Sequence, residues 1–410
     1  MKETDRLKIV SNETFYGRRE SNMKIKNIEA KWIHVPIPEP QQHVSDFGRI
    51  TSFDSTLVRV ETDEGTVGYG EAKEEVGSAG NNKALTMLIN GKLAPMLIGE
   101  DPHDISRIWE LMYNGARAHY ALDHGRVFPA LGRRGITISA ISGIDIALWD
   151  ILGKSLNTPV WQLLGGRTAS RMPAYASGGW ADASQIGEQL NGYIERAGFR
   201  AVKMRVGIMD RTVLNSVNRV KAAREGIGPD IGLMCDAHGT YSVAEAKQFC
   251  RLVEDCDLMW FEEPVTADDK SGYAEVRSST SIPIAAGESE FNRFDFRRLA
   301  ELRAVDIFQP DLAICGGITE AMRIAAIASA FNLRLAPHLW TGAPAFAAGM
   351  HVATASPAGF ILEYSLGANP LLHDLVEESF PIEDGYIEIP ERPGLGITVD
   401  EAFVKQYAVS

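Results

Sequence analysis

The sequence predicts an α/β fold: a modified (β/α)8 TIM-type barrel of the (β/α)7β form, covered by an α+β capping domain. From residue 171 onwards, short apolar runs alternate with helical patterns, and eight such runs follow one another about 27 residues apart. An interval of that length holds a strand, a helix and two loops, so neighbouring strands are expected to be parallel. The 410 residues, 45% of them hydrophobic, suffice for such a barrel and a smaller domain.

The boundaries of these regions follow from the same patterns. The predicted barrel strands begin near residues 171, 199, 232, 258, 282, 305, 333 and 359, and no amphipathic helix of normal length follows the last of them. We therefore expect a disordered extension over residues 1–22, the capping domain over 23–153, the barrel over 154–369 and a return of the chain to the capping domain over 370–410.

The capping domain begins with the alternating pattern of antiparallel strands, over residues 24–37 and again over 55–72. The connecting segments 36–54 and 73–82 are long and polar, and such loops in a compact domain are usually functional or mobile. We expect both loops to close over the barrel mouth and to set substrate specificity. The loop residues that face either substrate or solvent are Gln41, His43, Asp46, Phe47 and Arg49.

Residues 83–153 carry mainly helical patterns, which end in ITISAISGIDIALWDILGK. Gly153 is expected to stop that helix. Asp145 and Asp150 lie within it and are predicted to be surface or capping charges, not metal ligands. His119, Tyr120 and His124 in the same region are further possible substrate contacts.

Composition excludes several classes of function. The net charge of −13 argues against a nucleic-acid or anionic-membrane surface. The four cysteines form no CxxC pair, which favours a reduced, cytoplasmic setting. Residues 1–22 lack the apolar core of a signal peptide, and no uninterrupted apolar stretch approaches 18 residues. We expect a cytoplasmic protein with no nucleic-acid and no membrane partner.

Three acids stand at equal intervals of 26 residues: Asp236, Glu262 and Glu288. Each follows an apolar run, so the three are predicted at the same height on adjacent parallel strands. Converging carboxylates repel one another and raise each other's pKa unless a cation joins them. A divalent ion that takes oxygen ligands, such as Mg²⁺, is therefore predicted at this point.

Basic residues flank the acids. The second strand offers Lys203 and Arg205 on one face, and His238 follows two residues after Asp236. The sixth strand ends at Asp311 and the seventh at His338, which suits a base whose ring is oriented by the acid. A cation together with Lys203 would stabilise the enediolate that forms when a base removes the proton next to a carboxylate.

Each of these residues alone is compatible with a structural role, since a strand-end histidine is often a satisfied core residue and a carboxylate often caps the next helix. Their joint placement on six consecutive strands favours an active site.

The motifs also carry a family resemblance. The segments LVRVETDEGTVGYGEA, GIDIALWDILGK, VKMR, CDAHG, WFEEP, GES, QPDLAICGGITE and APHLW resemble the enolase superfamily and, within it, the mandelate racemase subgroup, over residues 23–410. The resemblance implies Mg²⁺ held by the three acids, an Asp311–His338 pair and a homo-oligomer. It also implies that Glu363, on the eighth strand, hydrogen-bonds a substrate carboxylate oxygen.

Two departures from the subgroup pattern bear on the reaction. Arg205 stands where racemases of the subgroup usually carry a second lysine base, and a guanidinium is a poor proton acceptor. His238 gives a DxH pattern that resembles galactonate and mannonate dehydratases, where this histidine assists departure of the β-hydroxyl. Arg205 itself would bind substrate oxygens or orient a metal ligand.

The resulting hypothesis is a Mg²⁺-dependent dehydratase of an acid sugar, an aldonate or aldarate, that yields a 2-keto-3-deoxy acid through a metal-stabilised enediolate. An epimerase or racemase and a lactone cycloisomerase use the same intermediate and are the alternatives within enzymes. A non-catalytic barrel protein and a phosphate-binding aldolase-like barrel are less favoured. The substrate in every catalytic reading is a small carboxylate.

Overall fold

A computed structural model describes residues 23–115, 121, 123–126 and 131–409. The predicted extension over residues 1–22 and the possible contacts His119 and Tyr120 lie outside the described residues. Within them the chain forms an antiparallel cap sheet with helices and a closed parallel barrel, which confirms the predicted fold class.

The cap sheet has the order β1–β4–β5, with β1 at Ile25–Pro36, β4 at Ser52–Thr62 and β5 at Val67–Ala72. Both pairs are antiparallel. Between β1 and β4 a small hairpin is formed by β2, Val44–Ser45, and β3, Gly48–Arg49. This hairpin covers the mouth of the barrel.

The cap helices pack on one side of that sheet. A helical segment runs from Lys83 to Leu97 with a wider turn at Ile89–Leu93, and further helices are Ile105–Asn114 and Ile136–Ser155. A Cβ on Gly70 of β5 would stand 1.9 Å from the carbonyl oxygen of Gly143, so strand and long helix meet backbone to backbone. That helix is long and apolar enough to cross a membrane, but most of it is buried inside the cap, as in a core helix.

Two details of the long helix differ from prediction. The helix continues past Gly153 to Ser155. Gly153 is needed for another reason: a Cβ at this position would lie 2.5 Å from the Cα of Gly394, so the two backbones could not pack as closely as they do. Asp145 and Asp150 are fully buried, so the surface reading was wrong. Both accept from backbone N–H groups of other segments, because a buried acid must find its hydrogen-bond partners inside the protein.

The barrel strands begin within three residues of the predicted starts. They are β6 Arg171–Gly178, β7 Ala201–Arg205, β8 Gly232–Asp236, β9 Leu258–Glu262, β10 Ile284–Ala286, β11 Ile307–Phe308, β12 Arg334–Leu335 and β13 Leu362–Ser365. All neighbours are parallel, β13 pairs with β6, and a bridge from Leu335 to Gly359 joins β12 to the run into β13, so the barrel closes.

A layer of side chains fills the barrel below the site, one from each strand or the residue beside it: Tyr175, Ala201, Met234, Trp260, Ala285, Ile307, Ala336 and Ile361. The layer mixes large and small side chains, and its two aromatic rings, Tyr175 and Trp260, meet edge to face with centroids 5.2 Å apart. This packed layer gives the strand ends a rigid floor.

The barrel helices lie outside the strands, at Ile186–Ala197, Val213–Ile227, Val243–Leu252, Lys270–Ser278, Arg293–Glu301, Gly317–Ala330 and Ala343–Ala355, with a short helix at Val160–Leu163 before β6. Ser242 and Glu245 form a capping box at the start of the helix Val243–Leu252. The helix directly after β13, Pro370–His373, has only four residues, in agreement with the (β/α)7β form.

The C-terminal segment contacts both parts of the molecule. Its hairpin, β14 Ile382–Glu383 and β15 Tyr386–Glu388, pairs antiparallel with the start of β6. Its last helix, Glu401–Tyr407, leads to an antiparallel bridge between Ala408 and Ile33 of β1. The end of the chain therefore ties the cap to the barrel.

Candidate active site

The predicted aspartate–histidine pair is assembled at the ends of β11 and β12. His338 and Asp311 face each other across a parallel bridge, with Nδ1 of the ring 2.8 Å from Oδ2 of the acid. Both side chains are buried. The other oxygen of Asp311 accepts from the backbone N–H of Ala313 at 2.8 Å, which fixes the carboxylate. The ring nitrogen Nε2 is thereby directed into the barrel mouth.

The surroundings of His338 make it a strong proton acceptor. Nε2 lies 3.5 Å from Oε2 of Glu288 and 3.9 Å from Oε2 of Glu363. Burial alone would lower the pKa of His338, but Glu288, Glu363 and Asp311 together raise it to about 9. The ring therefore has the geometry of a general base, and a cation that balances the charge of Glu288 would bring its pKa back towards neutral pH, where it can accept a proton.

Lys203 joins the acids on the opposite side of the mouth. Its Nζ lies 2.6 Å from Oε1 of Glu262, 3.0 Å from Oε1 of Glu363 and 3.5 Å from Oδ2 of Asp236. Burial would lower the pKa of this fully buried amine, but the carboxylates, Glu262 first, hold it above its usual range. Lys203 is a permanent cation, suited to stabilising negative charge rather than to accepting a proton.

Arg205 and His238 gather around Asp236. Arg205, Asp236 and the last residue of β9, Glu262, are register partners along three strands, which puts them in one row. The guanidinium donates to Oδ2 of Asp236 and to Nε2 of His238. His238 has a positive φ of 43°, and its backbone N–H donates to Oδ1 of Asp236 at 3.0 Å. Of the two roles left open for Arg205, orientation of a ligand residue is the one that these contacts support.

The donor atoms suit a divalent cation. Ligand atoms of Asp236, His238 and Glu288 lie within 4.8 Å of one another, and the buried Oε2 of Glu288 has no hydrogen-bond partner among the described residues. Two carboxylates and an imidazole form an oxygen- and nitrogen-rich set of the kind that binds such ions. His238, predicted only as an acid, thus also lies at the metal position.

Glu262 lies beside these three residues, but both of its oxygens already accept hydrogen bonds from other side chains. Besides Lys203 at Oε1, its Oε2 accepts from Nε1 of Trp260 at 2.9 Å and from Nε2 of Gln309 at 2.8 Å. Its role as the third metal ligand stays a prediction.

Glu363 lies at the back of the site, where β13 ends. The backbone N–H of Leu339 donates to its Oε2 at 2.8 Å, and Lys203 approaches its Oε1. Burial would raise the pKa of Glu363, but Lys203 and His338 hold it well below its usual range. In this arrangement the carboxylate accepts hydrogen bonds and anchors Lys203.

The cap closes the mouth from above. A cavity of about 20 Å³ is bounded by cap residues of both predicted loops and by the barrel side chains Arg205, His238, Glu288 and His338. His43 stacks on Trp180 with ring centroids 4.0 Å apart, and Phe47 lies over His238 at 5.0 Å. Asp46 accepts from Nδ1 of His238. The first loop therefore does reach the site.

Not every loop residue does so. Gln41 lines a separate groove of about 700 Å³ between the cap and the end of β13, and Arg49 is exposed. The other predicted loop brings Lys73 and Ser78 onto Trp340, two residues beyond His338: Nζ of Lys73 donates to its carbonyl oxygen at 3.0 Å, and its indole N–H donates to Ser78 at 2.7 Å.

Several of these contacts were missed at the level of sequence. Gln309 stands two residues before Asp311, and that spacing was a signal that both face the barrel interior. The buried Lys73 and the partnership of Asp46 with His238 have no comparable signal, because loop conformation carries no periodicity.

Comparison with known proteins agrees with this geometry. Residues 27–165 match the mandelate racemase / muconate lactonizing enzyme N-terminal domain, and residues 185–403 match the enolase C-terminal domain-like family. A D-galactarolactone cycloisomerase of Agrobacterium fabrum is 35% identical over 363 residues, 86% of this chain and 90% of that protein. A D-galactonate dehydratase of Cronobacter sakazakii is 38% identical over 360 residues, 84% and 88% respectively.

Among solved structures, a racemase from Streptomyces coelicolor A3(2) with bound magnesium is similar at a TM-score of 0.81 and 29% identity, covering 94% of this chain and 99% of that one. The family domains and the full-length relatives together account for both the cap and the barrel. The chain is therefore an enzyme that belongs to the mandelate racemase / muconate lactonizing enzyme family of the enolase superfamily.

Proposed function

We propose that this enzyme is a Mg²⁺-dependent dehydratase of an acid sugar, an aldonate or aldarate, that removes the α-proton and then the 3-hydroxyl. The observation that carries the proposal is the pair of histidines, His338 and His238, on different sides of one carboxylate cluster. Arg205 occupies the place where a second base for inversion would stand. The dehydratase relative supports the same reaction class.

Proton abstraction falls to His338. Asp311 holds Nδ1, so Nε2 faces the substrate and takes the α-proton, while the electron pair moves into the carboxylate to give an enediolate. Lys203, held by Glu262 and Glu363, places a fixed positive charge beside those oxygens. A divalent cation, when bound, adds positive charge for the same oxygens; Asp236 and Glu288, with Glu262 as predicted, would hold it.

Elimination falls to His238. Its Nε2 gives a proton to the 3-hydroxyl, the C3–O bond breaks and water leaves, and the enol that remains ketonises to a 2-keto-3-deoxy acid. An acid and a base on separate strands fit this sequence of steps.

A lactone cycloisomerase is the second candidate, because the relative from Agrobacterium carries that activity in its name. It would form the same enediolate and would need no loss of water. An epimerase would return the proton to the other face of the carbon, for which Arg205 is a poor donor and acceptor.

The test uses the purified full chain with Mg²⁺ and a panel of aldonates, aldarates and their lactones. A 2-keto acid formed from one of them is the expected result. Deuterium that enters recovered substrate from D₂O with no 2-keto acid would favour the epimerase, and consumption of a lactone alone would favour the cycloisomerase. A metal-linked rise in melting temperature that the Asp236→Asn variant lacks is expected to accompany activity.

The setting we propose is cytoplasmic, since the four cysteines are free and buried. A homo-oligomer is likewise proposed, and its measured mass in solution decides the matter.

A further inference from the structure

The hairpin of the first cap loop turns an acidic side chain inward. Ser45 pairs with Gly48, so Asp46 and Phe47 form its two-residue tip. Residues at a loop tip are ordinarily solvated. Phe47 is indeed 53% exposed, yet the side chain of Asp46 is only 4% exposed. The tip therefore inserts its carboxylate into the site and leaves its ring at the surface.

The partner of Asp46 is the imidazole of His238. Nδ1 of the ring lies against Oδ2 of Asp46, and the Phe47 ring covers the same imidazole. Nε2 faces the barrel, 3.5 Å from Oδ2 of Asp236, and accepts from Arg205. Each ring nitrogen thus has its own partner, one from the cap and one from the barrel.

This arrangement repeats that of the base. In both histidines a carboxylate engages Nδ1, and Nε2 faces the carboxylates at the barrel mouth, Asp236 for His238 and Glu288 for His338. A carboxylate in that position fixes the tautomer and the ring orientation. The difference is that Asp311 belongs to the barrel, whereas Asp46 lies on a loop of another domain.

We propose that Asp46 is a positioning residue that orients His238 for proton donation to the leaving hydroxyl. The proposal rests on the dehydratase function given above. In the step concerned His238 carries a proton on each ring nitrogen: its Nε2–H bond and the C3–O bond break, water forms, the electron pair of the enediolate becomes the C2–C3 double bond, and the proton on Nδ1 stays against Asp46. Asp46 exchanges no proton with the substrate. Elimination then requires the hairpin in place, whereas removal of the α-proton does not.

The experiment separates these two half-reactions in Asp46→Ala and Asp46→Asn variants of the full chain with Mg²⁺. Asp46→Ala is expected to lower kcat for 2-keto acid formation by about 10²-fold, the low end of what a well-placed proton donor contributes. Deuterium exchange at the α-carbon of recovered substrate is expected to stay within a few-fold of wild type. Glu39→Ala, an exposed acid of the same loop, is the matched control. Equal loss of exchange and elimination would overturn the proposal.

A second measurement does not depend on turnover. With ¹⁵N-labelled histidine and Mg²⁺, the imidazole signals of His238, assigned from their absence in His238→Gln, are expected to show in wild type an Nδ1 that always carries a proton, so that Nε2 is the nitrogen that exchanges its proton. Asp46→Ala is expected to give a mixture of tautomers, and unchanged signals would refute the positioning role. If wild type exchanges deuterium but never loses water, the dehydratase function falls while the signals still decide whether Asp46 orients the ring.

Discussion

The two histidines of the site are each held by an aspartate, but the two pairs are assembled from different parts of the chain. Asp311 and His338 are 27 residues apart and stand on adjacent barrel strands above a packed layer of side chains. Asp46 and His238 are 192 residues apart and meet only where the cap hairpin touches the barrel. In the proposed mechanism the barrel therefore carries the first half-reaction above a packed layer of side chains, and the cap contributes to the second through a loop.

Replacement of the base tests the barrel side of this comparison and has the largest expected effect. His338→Asn removes the acceptor of the α-proton, so both deuterium exchange and 2-keto acid formation are expected to fall by about 10³-fold or more. Exchange followed by NMR, together with a 2-keto acid assay, measures both. His373→Asn, an exposed histidine away from the cavity, serves as control. Exchange that survives in His338→Asn would assign the base elsewhere.

Replacement of the acid tests the other side. His238→Asn is expected to lower elimination by about 10²- to 10³-fold, at least as strongly as loss of Asp46, because the proton donor itself is removed. Exchange is expected to persist if Mg²⁺ still binds, which a thermal shift with and without Mg²⁺ reports. Loss of the metal-linked shift in this variant would identify His238 as a ligand rather than only an acid.

A contact between the cap and the barrel is expected to have a smaller effect, and that effect is on stability. Glu71 of β5 is buried in the cap and accepts from the backbone N–H groups of Gly342 at 2.8 Å and Ala345 at 3.2 Å, at the start of a barrel helix. Glu71→Ala leaves both donors unsatisfied, so the free energy of unfolding is expected to fall by about 2 to 5 kcal/mol. Denaturant unfolding measures this, with the exposed Glu75→Ala as control. Equal stability of the two variants would show that water replaces Glu71.

The smallest effect concerns pH. Burial raises the pKa of Asp145 from 3.8 to about 7, partly offset by Thr319. Since the folded state binds this proton more tightly, the stability it contributes is fully present below pH 3.8 and is lost as the pH rises through 7. The displacement corresponds to roughly 4 kcal/mol at most. Asp145→Asn is therefore expected to raise the melting temperature relative to wild type at pH 8 more than at pH 5.

An exposed acid gives the control for that measurement. Asp268→Asn is expected to shift the melting temperature little and equally at both pH values. A pH-independent difference between Asp145→Asn and wild type would contradict the raised pKa of Asp145.

The extent to which the sequence predicts the site follows the same division. Lys203, Asp236 and His338 could be placed because parallel barrel strands end at one face, so strand ends alone bring them together. One neighbour of Glu262 could also be predicted: Gln309 stands two residues before Asp311, and residues two apart on a strand face the same side. Asp145 carried a signal that went unused, namely an acid within an apolar helix.

The remaining contacts have no such regularity. Where Asp46 points depends on how a loop of the cap docks on the barrel, and that docking depends on contacts such as His43 on Trp180 between residues far apart in the chain. Periodicity describes single elements, whereas these contacts depend on how two domains fit together.

The backbone contact of Gly70 with Gly143 separates two tasks within the cap. Because the sheet and the long helix touch without intervening side chains, neither can shift without a clash. The hairpin Val44–Arg49 is joined to β1 and β4 by short segments, and none of its residues belongs to the core between the sheet and the cap helices. The cap thus divides into two parts: the sheet and long helix set the shape of the domain, whereas residues 37–51, held by the buried Ile37 and Ile50, carry the side chains that reach the barrel mouth.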